Sequence, residues 1–195
     1  MKYICWIFFL GMTLPITAQN SYKHEKEERI EAKMFPKKAL ELLQHTLPEK
    51  TKKVKYYKEQ DSLKISYEIK LKFKGDSFSI EFDKDGTLED VEVIIKKREI
   101  STETYDKIKS YLNNQYDSFR IKKIQRQYRN TSQIADKKVI EDAFQEHIGN
   151  PFLYEIIAEV KKAKKRYFIE ITFSKHGDFQ LVRTIIGSSY DHILY

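Results

Sequence analysis

Cysteine is almost absent from this 195-residue chain: Cys5 is the only one, and its neighbour Trp6 is the only tryptophan. Both lie in the first 18 residues, which read as a secretory signal peptide. Met1-Lys2 is a short basic start, Tyr3 to Ile16 is an almost uncharged apolar run, and Thr17-Ala18-Gln19 supplies the small residue after which cleavage is expected. A retained anchor is the rival reading, but the run is shorter than the ~20 apolar residues of a membrane span, and Pro15 interrupts it. Cleavage after Ala18 would leave no thiol and no transmembrane anchor. That excludes disulfides and thiolate metal sites from the mature chain, so its core must be held by burial alone. The expected location is the periplasm or the external medium.

Glycine and proline are also scarce, at six and four residues, which argues against long disordered linkers. Charge of a single sign is missing. The net charge of +7 falls to +6 when Lys2 leaves with the signal, and lysines alternate with acids throughout. This favours solubility and weak attraction to anionic surfaces, and it falls short of a nucleic-acid signature. The familiar catalytic patterns are lacking as well: no His-Glu-x-x-His, no Gly-x-Ser-x-Gly and no phosphate-cradling glycine loop. The five histidines, at positions 24, 45, 147, 176 and 192, have no metal-ligand spacing. The expectation is a non-enzyme without a cofactor.

What the chain does contain is an internal echo. Phe78-Ser-Ile-Glu-Phe-Asp-Lys-Asp-Gly86-Thr-Leu and Ile169-Glu-Ile-Thr-Phe-Ser-Lys-His-Gly177-Asp-Phe are similar hairpins, with Phe82 and Phe173, Lys84 and Lys175, and Gly86 and Gly177 all 91 residues apart. A helical stripe precedes each: Ala39, Leu40, Leu43 and Leu47 after Pro36, and Tyr105, Ile108, Tyr111 and Leu112 after Ser101. Strict alternation marks Ser66 to Lys74, with Tyr67, Ile69, Leu71 and Phe73 on one face and Ser66, Glu68, Lys70 and Lys72 on the other. Tyr154, Ile156, Ala158 and Val160 repeat it. The expected fold is α+β: two tandem units of one helix and four antiparallel strands, at 30–98 and 99–195, forming at most one continuous eight-stranded sheet. The second unit carries an insertion at 129–150 with a short helix from Asp136. Residues 19–29 are expected to be a frayed polar lead-in.

The hairpin with Asp85-Gly86, Tyr67-Glu-Ile-Lys-Leu, the Pro36-Lys-Lys-Ala-Leu helix and, in the second unit, Tyr154-Glu-Ile156 resemble the PepSY domain. Two copies in an exported chain are similar to the PepSY-like family of β-lactamase-inhibitor-like proteins. The resemblance implies a fold like that of the β-lactamase inhibitory protein, whose concave sheet binds an enzyme, and thus a non-catalytic role in binding an extracytoplasmic protein, with inhibition one form of it. It names no target.

Three candidate sites follow. The polar sheet face would carry Glu68, Lys70, Lys72, Ser79 and Glu81 from one unit, and Glu155, Ile157, Glu159, Phe168, Glu170 and Thr172 from the other. Ile157 and Phe168 are apolar residues among charges, suited to anchoring a partner or to lying under a covering element. The Lys161, Lys162, Lys164, Lys165 and Arg166 tip is either a solvated loop or a contact for an acidic partner or anionic envelope surface. Glu81, Asp83, Asp85 and Glu92 fall at calcium-loop spacing around Gly86, but the flanks alternate like strands, which favours a plain hairpin. An envelope sensor of calcium or an anionic glycan is the alternative function.

Overall fold

The computed structural model describes residues 21–129, 135–145 and 152–186, so the expected signal segment at 1–18 lies outside the described residues. The alternating apolar residues build strands as their period requires. Ten strands form in chain order with three helices between them: β1 (Ser21–Lys23), β2 (Glu25–Ile30), α1 (Lys37–Thr46), β3 (Lys52–Asp61), β4 (Lys64–Phe73), β5 (Asp76–Asp83), β6 (Leu88–Ile94), α2 (Thr102–Gln115), β7 (Ser118–Arg129), α3 (Asp136–Phe144), β8 (Leu153–Lys162), β9 (Lys165–Ser174) and β10 (Phe179–Ile185).

The architecture differs from the expected α+β pair of helix-plus-four-strand units. It is mostly β: a single ten-stranded mixed sheet, in the order β1-β10-β9-β8-β7-β6-β5-β4-β3-β2, nearly closed into a barrel. The physical reason lies in the segment read as a frayed lead-in. Its residues alternate between half-buried and exposed, with Lys23, Glu25 and Glu27 turned toward the sheet interior. β1 pairs in parallel with β10, while β2 pairs antiparallel with β3. Only His24 separates them, so one short stretch of chain is hydrogen-bonded to both edges of the sheet. An open arrangement like that of the β-lactamase inhibitory protein does not form. Unpaired edges are a liability for any sheet, and here each edge is occupied by half of the same segment.

The apolar face of the sheet points outward and is covered by the helices. Ile69, Leu71, Phe78, Ile80, Phe82, Val91 and Val93 join Ile156, Ala158, Ile171 and Phe173 in one core with Ala39 and Leu43 of α1, Ile108 and Leu112 of α2, and Val139, Ile140 and Ala143 of α3. Phe35, at the entry to α1, packs edge-on against Tyr56, Tyr67 and Phe82, with ring centroids 5.2–5.8 Å away. Phe144 of α3 stacks on Phe78 at 4.6 Å, so the insertion helix belongs to this core. Ser101 caps α2 by accepting a bond from the Thr104 amide at 3.2 Å, the role its sequence position predicts.

The two echoed hairpins are locked in the same way. Asp83 Oδ1 accepts bonds from the amides of Asp85 and Thr87, and Ser174 Oγ accepts from those of His176 and Asp178. Gly86 (φ +77°) and Gly177 (φ +85°) bring each tip against the first turn of a helix, where an added Cβ would lie 3.0 Å from the Ala39 nitrogen or 2.8 Å from the Thr104 oxygen. The basic tip is a two-residue turn between β8 and β9, with Ala163 (φ 49°) and Lys164 (φ 68°) both left-handed. Non-glycine residues pay about 1 kcal/mol or more for that conformation. Replacing Ala163-Lys164 with Asn-Gly, the pair such turns prefer, should stabilise the protein by about 1–2 kcal/mol in urea unfolding.

Candidate functional site

Closing the barrel turns the hydrophilic sheet face into its interior. Residues from all ten strands line one cavity of about 380 Å³, within the range of small-molecule sites. The candidate face therefore does not lie open. Glu68 (3% exposed), Ile157 (1%), Glu170 (3%) and Thr172 (4%) are buried, Lys70 and Glu81 are half-buried, and only Lys72 is exposed, at the rim. Phe168 packs with Ile157 and Ile185 in a small apolar cluster on this inner face, Ile185 of β10 being its register partner. Glu159 stays near the surface, paired with Lys122 at 3.1 Å and Arg166 at 3.5 Å.

Register organises the interior into rows. Glu68 lies directly opposite Glu81, and Glu81 opposite Asp90, placing three acids side by side on β4, β5 and β6. Like charges directly opposite one another destabilise a sheet. Next along, Ser79 faces Glu92 and Glu92 faces Gln127. Further round, Gln125 faces Glu155 and Glu155 faces Thr172. Glu59 and Glu27 are paired across β3 and β2.

Some of these acids are neutralised from within. Lys70 Nζ lies 2.8 Å from Glu27 and 3.1 Å from Glu68. Lys23 reaches Glu170 at 2.7 Å and Glu25 at 3.0 Å, and Arg183 spans Glu170 and Asp61 of β3. Burial alone would raise Glu170, but Lys23 and Arg183 outweigh it and hold the carboxyl at about 2. Burial likewise works against ionisation of Glu68, and Lys70 overcomes it, lowering the group.

The remaining acids have no such partners. Glu81, Asp90, Glu92 and Glu155 form no ion pair among the described residues. Gln127 donates to Asp90 at 2.9 Å and to Glu92 at 3.3 Å, and Gln125 also donates to Glu92. Burial pushes Asp90 up to about 7, only partly offset by Arg129, and burial with the nearby Glu170 charge pushes Glu155 up to about 7. Glu81 and Glu92 are raised well above the carboxylate range by burial and by the neighbouring acids Asp90 and Glu155 respectively. Asp90 Oδ1 and Gln127 Oε1 are buried on the cavity wall without a hydrogen-bond donor.

The four residues at calcium-loop spacing are not brought together. Asp83 caps its own turn, Asp85 is exposed beside Lys84 at 3.3 Å, and Glu81 and Glu92 turn into the barrel. The carboxylates that do converge, within 4.8 Å of one another, are Glu27, Glu59 and Glu68, and the Lys70 ammonium already sits on two of them. The basic tip is exposed at Lys162, Lys164, Lys165 and Arg166, with Lys161 half-buried. Sequence reasoning missed Lys23, Glu25, Glu59, Asp90, Gln125, Gln127 and Arg183. Parity carried through the Gly86 hairpin from Phe82 and Leu88 would have put Glu89 opposite Glu81; a register shift between Glu81 and Phe82 puts Asp90 there instead. Nothing in a uniformly polar segment could have shown that Lys23 closes a barrel.

Among the described residues no helix is long and apolar enough to cross a membrane. A scan against protein-family models and a search of curated proteins each returned no match.

Two outcomes test this electrostatic picture. Lys70→Met leaves Glu27 and Glu68 without their ammonium and should cost about 3 kcal/mol in urea unfolding at neutral pH. A cost below ~0.5 kcal/mol, the size of an ordinary surface change, would contradict the pairing. The second concerns pH. Asp90 and Glu155, raised in the folded state, stabilise it below their unfolded pKa, and that stability is lost as pH climbs through their folded values of about 7. Glu170, depressed, contributes above its unfolded value and loses that contribution as pH falls toward 2. Thermal stability should peak near pH 5 and drop by roughly 5–10 °C at pH 8, with Asp90→Asn flattening the decline.

Proposed function

We propose that this is a non-catalytic binding protein that takes a small, positively charged polar ligand into the interior of its barrel. The observation that carries the reading is how charge is distributed on the wall of one cavity: Lys23, Lys70 and Arg183 are committed to Glu25, Glu27, Glu68, Glu170 and Asp61, while Glu81, Asp90, Glu92 and Glu155 cluster without an ion pair among the described residues, and Arg129 beside Asp90 offsets its burial only in part. A row of opposed carboxylates breaks a local rule of sheet design, and such breaches concentrate where function requires them. An ammonium or guanidinium entering this cluster supplies both the missing charge and the missing donors to Asp90 and Gln127. The apparent export signal makes the periplasm or the external medium the proposed place of action.

Capture or inhibition of a protein through the sheet face is supported less, because Glu68, Ile157, Glu170 and Thr172 are enclosed. A protein or anionic envelope surface would be met instead at the exposed tip around Lys164. A calcium sensor built on the hairpin is not supported, since Asp83 is engaged in its own turn.

Calorimetry and thermal melts with spermidine, calcium and a sulfated oligosaccharide discriminate among these. Spermidine should bind with release of protons, because a cation beside Asp90 and Glu155 favours their ionised forms, and its affinity should rise between pH 6 and 8. Glu81→Gln/Asp90→Asn should weaken it ~10-fold or more, as expected for loss of a charge-assisted contact. Absence of heat and melting shift with every cation would refute interior binding.

A further inference from the structure

The cavity wall carries a cluster of acids and, apart from it, a cluster of lysines; Arg129, opposite Asp90, is the cation beside the acids. Lys53, Lys55, Lys72 and Lys123 line the same cavity as the acid row, yet none of them forms an ion pair among the described residues, in contrast to Lys23, Lys70 and Arg183 deeper inside. They gather at one mouth. Lys72 lies at the end of β4, Lys53 and Lys55 at the start of β3, and Lys123 on β7 two residues before Gln125, the partner of Ile94 at the end of β6. Lys52 stands directly opposite Lys72, and Lys55 opposite Lys70, so cations crowd one another here as acids do further in.

The backbone is bent to place them. The register of β3 shifts between Lys52 and Lys55, and Lys53 at the shift is left-handed, with φ 55°. Bulges re-aim side chains and collect at barrel rims and binding sites. Strain of this kind in a non-glycine residue persists only where the surroundings hold it, commonly at a ligand clamp.

The two charged zones form no ion pair with each other among the described residues, although Lys123 is near enough to favour ionisation of Glu92 and Glu155. Along β4, the acid row at Glu68 and the mouth at Lys72 are four residues apart, about 13 Å at strand rise. A bound molecule can bridge that gap where the side chains do not. We infer that the ligand is dipolar, with its cationic end against Glu81, Asp90 and Glu92 and its anionic end held by Lys53, Lys55, Lys72 and Lys123. This rests on the interior-binding reading and adds the second half of the ligand's chemistry. A short unblocked peptide, with an ammonium at one end and a carboxylate at the other, is the simplest member of the class. Buried Asp90 Oδ1 and Gln127 Oε1, which lack donors, mark where the ammonium docks.

The test uses three matched probes. Tetraglycine spans roughly 13 Å when extended; tetraglycine amide keeps only the cation, and N-acetyltetraglycine keeps only the anion. Calorimetry at low salt and pH 7.5 should find tetraglycine at least ~10-fold tighter than either relative, as one charge-assisted contact at each end requires. Lys55→Gln/Lys72→Gln, at exposed rim positions that spare the core, should bring tetraglycine down to the affinity of the amide and leave the amide unchanged. If the amide binds as tightly as tetraglycine, or the rim variant binds tetraglycine normally, the dipolar inference fails while interior cation binding stands. If neither tetraglycine nor its amide binds although spermidine does, the dipolar inference alone fails; if spermidine is silent as well, the interior reading fails with it. Tighter binding of the acetylated peptide than of tetraglycine would overturn the assignment of the acid row.

Discussion

Closure of the sheet is the constraint to which everything else answers. A strand with one apolar and one polar face normally gives the polar face to water. Here the apolar face is covered by three helices and the polar face is rolled inward, so charged side chains must find partners among themselves or shift their protonation. Lys70 between Glu27 and Glu68, and Glu170 between Lys23 and Arg183, are the first solution. Asp90 and Glu155, raised to about 7, are the second. The Arg183 contact with Asp61 joins β10 to β3 directly across the seam, so the same ion pairs that neutralise the interior also hold the barrel shut.

The division of labour between the two sides is unusual for a small domain. Packing specificity resides outside the barrel, in rings such as Phe35, Phe82, Phe78 and Phe144 and in the helix residues Leu43, Ile108 and Ile140. The inside is chemically specific but poorly packed, and it contributes little hydrophobic stabilisation beyond the Ile157, Phe168 and Ile185 cluster. Substitutions inside can therefore alter charge without collapsing the outer core.

Much of the strand and helix pattern was legible. The alternation at Tyr67–Phe73, its repeat at Tyr154–Val160, the cap at Ser101 and the Gly86 and Gly177 hairpins could all be read from residue type and spacing. The fold class could not. Hydrophobic periodicity reports which face is apolar, and it is silent on whether the opposite face ends in solvent or in a cavity. Residues 21–30 show why: Lys23, Glu25 and Glu27 alternate inward while Lys26 and Glu28 point out, and a segment polar on both faces carries no periodic signal. Within the site, Glu68, Lys70, Glu81, Glu170 and Thr172 were found by parity. Asp90 was missed because the register shift between Glu81 and Phe82 breaks parity across the turn, and Gln127 because the pairing of β6 with β7 was not read.

The pairing of Ser21 with Arg183 joins two points separated by almost the whole described chain. During synthesis β1 leaves the ribosome first of the ten strands and its partner β10 last of them, so the first strand made must wait for the tenth before it has a mate. Contacts of such high order fold slowly, because a long loop must close before its reward is collected. Until then the sheet stands as an open trough with its β10 border bare. The seam is thus the last thing this chain completes and, by the same logic, the first a denaturant would undo.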